Sequence, residues 1–87
     1  MIHAMSYAWD PEMLDALAVL GVRPGPETPP ALVKDYVTEL YQYELRRLRA
    51  RLVRGEIPKA SYAGLVKDIR PRYWMLSIAA AGWAQAR

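Results

Sequence analysis

The stretch PPALVKDYVTELYQYELRRLRARLVRG, residues 29–55, decides the fold. Two prolines open it, a glycine closes it, and nothing from Ala31 to Arg54 breaks a helix. Proline suits a first helical turn, where no amide partner is lost, and glycine readily takes the left-handed conformation that ends a helix. The spacing therefore predicts a helix over residues 30–54, with Thr28 as its N-cap. At about 1.5 Å per residue such a helix runs for about 38 Å. A compact chain of this length is only about 30 Å across, so the helix must bend, or one end must project and find something to pack on.

Its apolar residues change direction partway along. Val33, Tyr36, Val37 and Leu40 cluster on one face, whereas Tyr41, Leu45, Leu48 and Leu52 lie about 90° further round. The second set has the 4-3-4 spacing of a coiled-coil seam. Two packings account for this: either the N-terminal half lies on a preceding helix and the C-terminal half on a following one, or the second set is a self-association seam. Fewer than two heptads are too short to establish a coiled coil, which favours the first packing.

Working outward, Asp10-Pro11 supplies an N-cap and a first-turn proline for a helix over residues 10–20, which Gly21 closes. Residues 22–30 carry Pro24, Gly25, Pro26, Pro29 and Pro30 and read as a stiff linker. Beyond the long helix, Glu56-Ile57-Pro58 makes a turn. Tyr62, Leu65, Val66 and Ile69 then recur at i, i+3, i+4 and i+7, predicting a helix over residues 58–69 that Pro71 ends. Residues 72–87 form a C-terminal apolar arm. Within it Arg72–Ile78 suits a strand, an extended arm or a further helical turn, and Ala79–Ala86 leans towards helix with Gly82 opposing. The arm either folds back to complete the core or docks on another subunit.

The expected fold is thus all-α: a single small three-helix domain with a long central helix, a helical hairpin and a C-terminal arm. Leu14, Leu17, Val37, Leu40, Leu48, Leu52, Leu65, Val66 and Ile69 are its expected core. With 53% hydrophobic residues among 87, the chain has enough apolar surface to offset the entropy of ordering, which excludes a disordered polyampholyte. The absence of cysteine excludes disulfides and thiolate chemistry. Asp10, Glu12 and Asp15 argue against an export signal, and the longest apolar stretch, Tyr73–Ala84, falls short of the roughly 20 residues needed to cross a membrane. A cytoplasmic location is expected.

Reactive chemistry is sparse. His3 is the only histidine, and Ser6, Ser61 and Ser77 have no neighbouring base in the sequence. Asp35 and Glu39 stack at i, i+4, but two carboxylates on one helix face are ordinarily solvated. The glycines make no phosphate-binding loop. The reading is therefore no enzyme, no catalytic residues, no cofactor and no metal.

Charge is more informative. Residues 1–43 carry Arg23 and Lys34 against six carboxylates, a net −4, while residues 44–87 carry ten bases against three, a net +7. Five arginines fall within Arg46–Arg54, and Arg47, Arg51 and Arg54 form one stripe at i, i+4 and i+7. Tyr36, Tyr43 and Arg47 share a side of the helix, with Tyr43 and Arg47 in range for a cation–π contact. In the arm, Tyr73, Trp74 and Leu76 belong to the densest apolar cluster of the chain. The candidate partner-binding residues are accordingly Arg47, Arg51, Arg54, Tyr36, Tyr43, Tyr73, Trp74 and Leu76.

The expected function is a non-catalytic protein-interaction module, an accessory subunit or small adaptor whose partner is another protein or a second copy of itself, most simply a two-fold dimer. The alternative is a basic nucleic-acid binder using the Arg46–Arg54 stripe to neutralise phosphates. A helix-turn-helix built on Gly55 is disfavoured, because Arg51 would occupy the position where the two helices must touch closely. A membrane-surface role is disfavoured too, since the arm shows no strongly amphipathic helix.

Overall fold

The computed structural model describes residues 5–87. Strand β1 (Tyr7–Trp9) leads into α1 (Pro11–Val19), the long α2 (Pro30–Val53) and α3 (Lys59–Ile69). The chain then tightens into a 3₁₀ segment (Arg70–Ser77), makes a single 3₁₀ turn (Ala80–Gly82) and ends in β2 (Ala84–Ala86). The molecule is predominantly α, as its periodicities predict. His3 lies outside the described residues.

Local chemistry sets most of the boundaries. The Asp10 carboxylate accepts the Glu12 amide at 3.3 Å, and Gly21 follows α1 at φ +78°. Gly55 closes α2 at φ +77°, its amide donating to the Leu52 carbonyl while the Glu56 amide reaches the Arg51 carbonyl. This pair satisfies carbonyls the helix end would otherwise orphan, and the next residue, Ile57, buries its side chain. At the other end the Thr28 expectation fails. Pro30 drives the residue before it into extended backbone, so Pro29, which has no side-chain acceptor, occupies the N-cap position. The Thr28 hydroxyl instead accepts the Gly25 amide at 3.0 Å, bracing the linker.

The C-terminal arm folds back onto the helices. Residues 70–77 are 3₁₀ helix with a kink at Tyr73. Only Ala80–Gly82 of the expected second helical stretch is helical, because the chain thereafter extends to pair with β1. That ribbon is antiparallel, with Tyr7 opposite Ala86 and Trp9 opposite Ala84. Three residues per strand are too few for an alternating pattern to announce them, so the sequence reading contains no sheet.

The core is built as much by this arm as by the helices. Met13 and Leu17 of α1 meet Val33, Val37 and Leu48 of α2, Ile57 of the turn, Ile69 of α3, and Tyr73, Met75 and Trp83 of the arm. Of the expected core, Leu17, Val37, Leu48 and Ile69 are buried. Leu40, Leu65 and Val66 are half-buried against it, and Leu14 and Leu52 are half-buried at the periphery. The stripe of α1 that turns inward runs through Met13 and Leu17, which points Leu14 into a hollow beside Trp9, Pro24 and Pro26. Contrary to expectation, α1 rests more on the Arg70–Ser77 segment than on α2 itself.

Two polar clamps hold the arm. The Lys34 ammonium (2.8 Å) and the Trp83 indole N–H (3.0 Å) both donate to the Ile78 carbonyl. Further along, Glu44 accepts the Tyr73 hydroxyl and lies 3.5 Å from the Arg72 guanidinium. Gly82 suits the close approach here, since a Cβ would stand 2.9 Å from Ile78 Cγ2 and force that side chain to shift.

Burial first, and then the hydrogen bond to Glu44 and its negative charge, push the Tyr73 hydroxyl above its ordinary pKa of 10.0, with Arg72 opposing. The unfolded chain then releases a proton that the folded chain retains, so stability is full below about pH 10 and falls as pH rises beyond it. Tyr73→Phe is expected to cost about 1–3 kcal/mol at neutral pH, because Glu44 loses a donor. The same substitution should flatten the alkaline decline. Urea unfolding of both proteins across an alkaline pH series checks the two effects together.

The molecule is a rod, 57 × 23 × 18 Å, with a radius of gyration of 16.2 Å. Its long axis exceeds the compact dimension of about 30 Å, and α2 alone spans about 36 Å of it. No helix among the described residues is long and apolar enough to cross a membrane.

Candidate interaction surface

Packing covers one side of α2 and leaves the other open. The 4-3-4 set read as a self-association seam is covered within the chain. Leu48 is buried, Leu45 and Leu52 are half-buried, and Tyr41 meets Tyr73 with ring centroids 4.8 Å apart. On the opposite side a second row runs the length of the helix: Leu32, Tyr36, Glu39, Tyr43, Arg46, Ala50 and Val53. All seven are exposed. Their separations alternate four and three, and at about 100° per residue they fall within about 100° of arc. Leu32 is 61% exposed, Tyr36 57%, Tyr43 52% and Val53 78%. Nothing among the described residues buries these four large apolar side chains, and their shared period sets them apart from hydrophobic residues scattered singly over a surface.

Shallow concavities lie at both ends of the row. The N-terminal one is a largely apolar groove of about 520 Å³ where the linker residues Val22 and Pro24 run beside Leu32 and Tyr36, with Asp35, Glu39 and the linker's Arg23 also lining it. The C-terminal one, about 440 Å³, is lined by Arg46, Arg49, Ala50, Val53 and Arg54. Two carboxylates against one arginine line the first and three arginines line the second, so the charge of the row changes sign along α2 as the division between the two halves of the chain anticipates.

The arginine stripe is partly neutralised at home. Glu56, in the turn after Gly55, lies 3.0 Å from Arg54 and 3.7 Å from Arg51. The hydrogen bond from Arg54 foremost, and then the charges of Arg54 and Arg51, hold its carboxyl below the ordinary value of 4.5, with desolvation opposing. Arg46, Arg47 and Arg49 make no ion pair among the described residues. Arg47 instead flanks a small hollow with Glu44, Leu48, Arg51 and Ile69, on the side that faces α3.

The candidate residues therefore separate. Tyr36 and Tyr43 stand in the exposed row, Arg54 borders it beside Val53, and Arg47 and Arg51 turn towards α3. Trp74 is 40% exposed on the arm, away from α2 in sequence. Leu76 is half-buried against the core. Tyr73 is corrected from a surface contact to a core residue: it is 4% exposed, because the kink at its own backbone turns the ring under Tyr41 and towards Glu44. Leu32, Ala50 and Val53 were not foreseen. The signal that could have found them is the heptad register they share with Tyr36 and Tyr43, which a second apolar set on the same helix obscures.

Among the described residues no three His, Cys, Asp or Glu side chains gather closely enough to hold a metal ion. No protein family, curated protein or solved structure compared with this chain matches it.

Proposed function

We propose that this chain is a non-catalytic interaction module, an accessory subunit or small adaptor, that meets a protein partner along the outer face of α2. The observation that supports this reading is the exposed row from Leu32 to Val53, apolar at five of its seven positions and set at the period of a helix-packing seam. The arm, which the sequence offered as a second contact surface, contributes indirectly: with Tyr73, Met75 and Trp83 in the core it covers one side of α2 and leaves the far side outward.

A photoreactive phenylalanine analogue placed at Tyr43 or Val53, with Lys67 of α3 as an exposed control, tests the reading in living cells. Protein adducts concentrated at Tyr43 and Val53 are the expected result. Adducts spread evenly over all three positions, or none at any, would sink it. The nucleic-acid alternative has its own measurement. Titration with single-stranded and duplex oligonucleotides over a salt series should give no steep negative log-log slope; a steep slope that Arg47→Ala and Arg51→Ala both weaken would replace the protein partner with a phosphate backbone.

A further inference from the structure

We infer that the partner on this face is a second copy of the chain, its α2 laid antiparallel against the first so that the acidic half of each helix meets the basic half of the other. The inference rests on reading the outer face of α2 as an interaction surface, and adds the identity and direction of its occupant.

Position and charge together carry it. The row is a run of alternating four- and three-residue steps over 21 residues, about 32 Å of helix, which is the register a partner helix requires. Five positions offer apolar or aromatic surface, and the other two are Glu39 and Arg46. These charges lie on either side of the row's midpoint, between Gln42 and Tyr43. Turning a second helix end for end about that midpoint brings Glu39 of one copy opposite Arg46 of the other, twice over. It also sets Leu32 opposite Val53 and brings Tyr36 within one residue of the small Ala50, while the Tyr43 rings of the two copies meet beside the axis.

A parallel pairing in register does the reverse. It stacks Glu39 on Glu39 and Arg46 on Arg46 within the seam, where like charges taken from water repel strongly. The surroundings extend the same preference. Asp35 flanks the acidic end and Arg49 the basic end, so each flank also meets its opposite. Val53, the most exposed large apolar side chain among the described residues, arrives at the groove formed by Val22, Leu32 and Tyr36. The contact is isologous and closes on itself, leaving no free seam to propagate a fibre. Because α3 and the arm occupy the opposite side of α2, neither obstructs the approach.

Sedimentation equilibrium of the full chain over a concentration series tests this, together with Glu39→Arg, Arg46→Glu and the double exchange. Both positions are exposed, so each variant should keep the circular dichroism spectrum of the parent. The expected result is a concentration-dependent dimer that each single substitution weakens by about tenfold or more and that the double exchange restores to within about threefold. A chain that stays monomeric at every concentration overturns the inference, as does a dimer indifferent to both single changes. Monomeric behaviour with protein adducts at Tyr43 would remove self-pairing and leave the interaction module standing with a different partner.

Discussion

Replacing Trp83 with alanine is expected to remove about 3–5 kcal/mol of stability, the range for emptying a fully buried aromatic site. A domain of this length has only about 4–13 kcal/mol in total, so the variant should be largely unfolded well below the melting temperature of the parent. Trp83 is wholly excluded from solvent, and it is where the arm, α1 and α2 converge. Its indole also donates to the Ile78 carbonyl, so truncation removes one of the two donors on that oxygen and leaves Lys34 alone. Urea unfolding monitored by circular dichroism measures the loss. A cost below about 1 kcal/mol would contradict the convergence of the three elements on this ring.

Ending the chain after Arg72 should have a still larger effect. The cut removes Tyr73, Met75 and Trp83 from the core, one of the two partners of Glu44, and the whole of β2. With those gone, Met13 and Leu17 of α1 lose their cover, and β1 loses its hydrogen-bonding edge. Collapse of the helical signal and of cooperative unfolding is the expected outcome. If the arm were instead a docking segment for another subunit, the shortened chain would remain a folded monomer, and a cooperative melt would establish that.

These two experiments fall where the sequence was hardest to read. Asp10-Pro11, Gly21 and Gly55 state their helix boundaries directly, because each satisfies a local backbone requirement that neighbouring residues cannot alter. Leu17, Val37, Leu48 and Ile69 follow from periodicity for the same reason. The arm is different. A kinked 3₁₀ run, one isolated turn and a three-residue strand repeat nothing often enough to leave a period, so Met75 and Trp83 read only as apolar residues without an address. The exposed row on α2 was hidden for another reason. Leu32, Tyr36 and Val53 compete with Tyr41, Leu45, Leu48 and Leu52 on the far side of the same helix, and which set is covered depends on where α3 and the arm settle. Periodicity identifies seams, and tertiary packing chooses between them.

The β1–β2 ribbon has a kinetic consequence. Pairing Trp9 with Ala84 closes a loop of roughly seventy residues, whereas the α2–α3 hairpin turns within about five, and the longer closure costs about 2 kcal/mol more in chain entropy. The hairpin can therefore assemble early from near neighbours, with the ribbon sealing only after the interior has condensed. Run backwards, the same order makes the ribbon the first piece to open. Its amides should exchange with solvent hydrogen through small local openings, long before those of α2, which makes the meeting of the two strands the molecule's natural point of breathing.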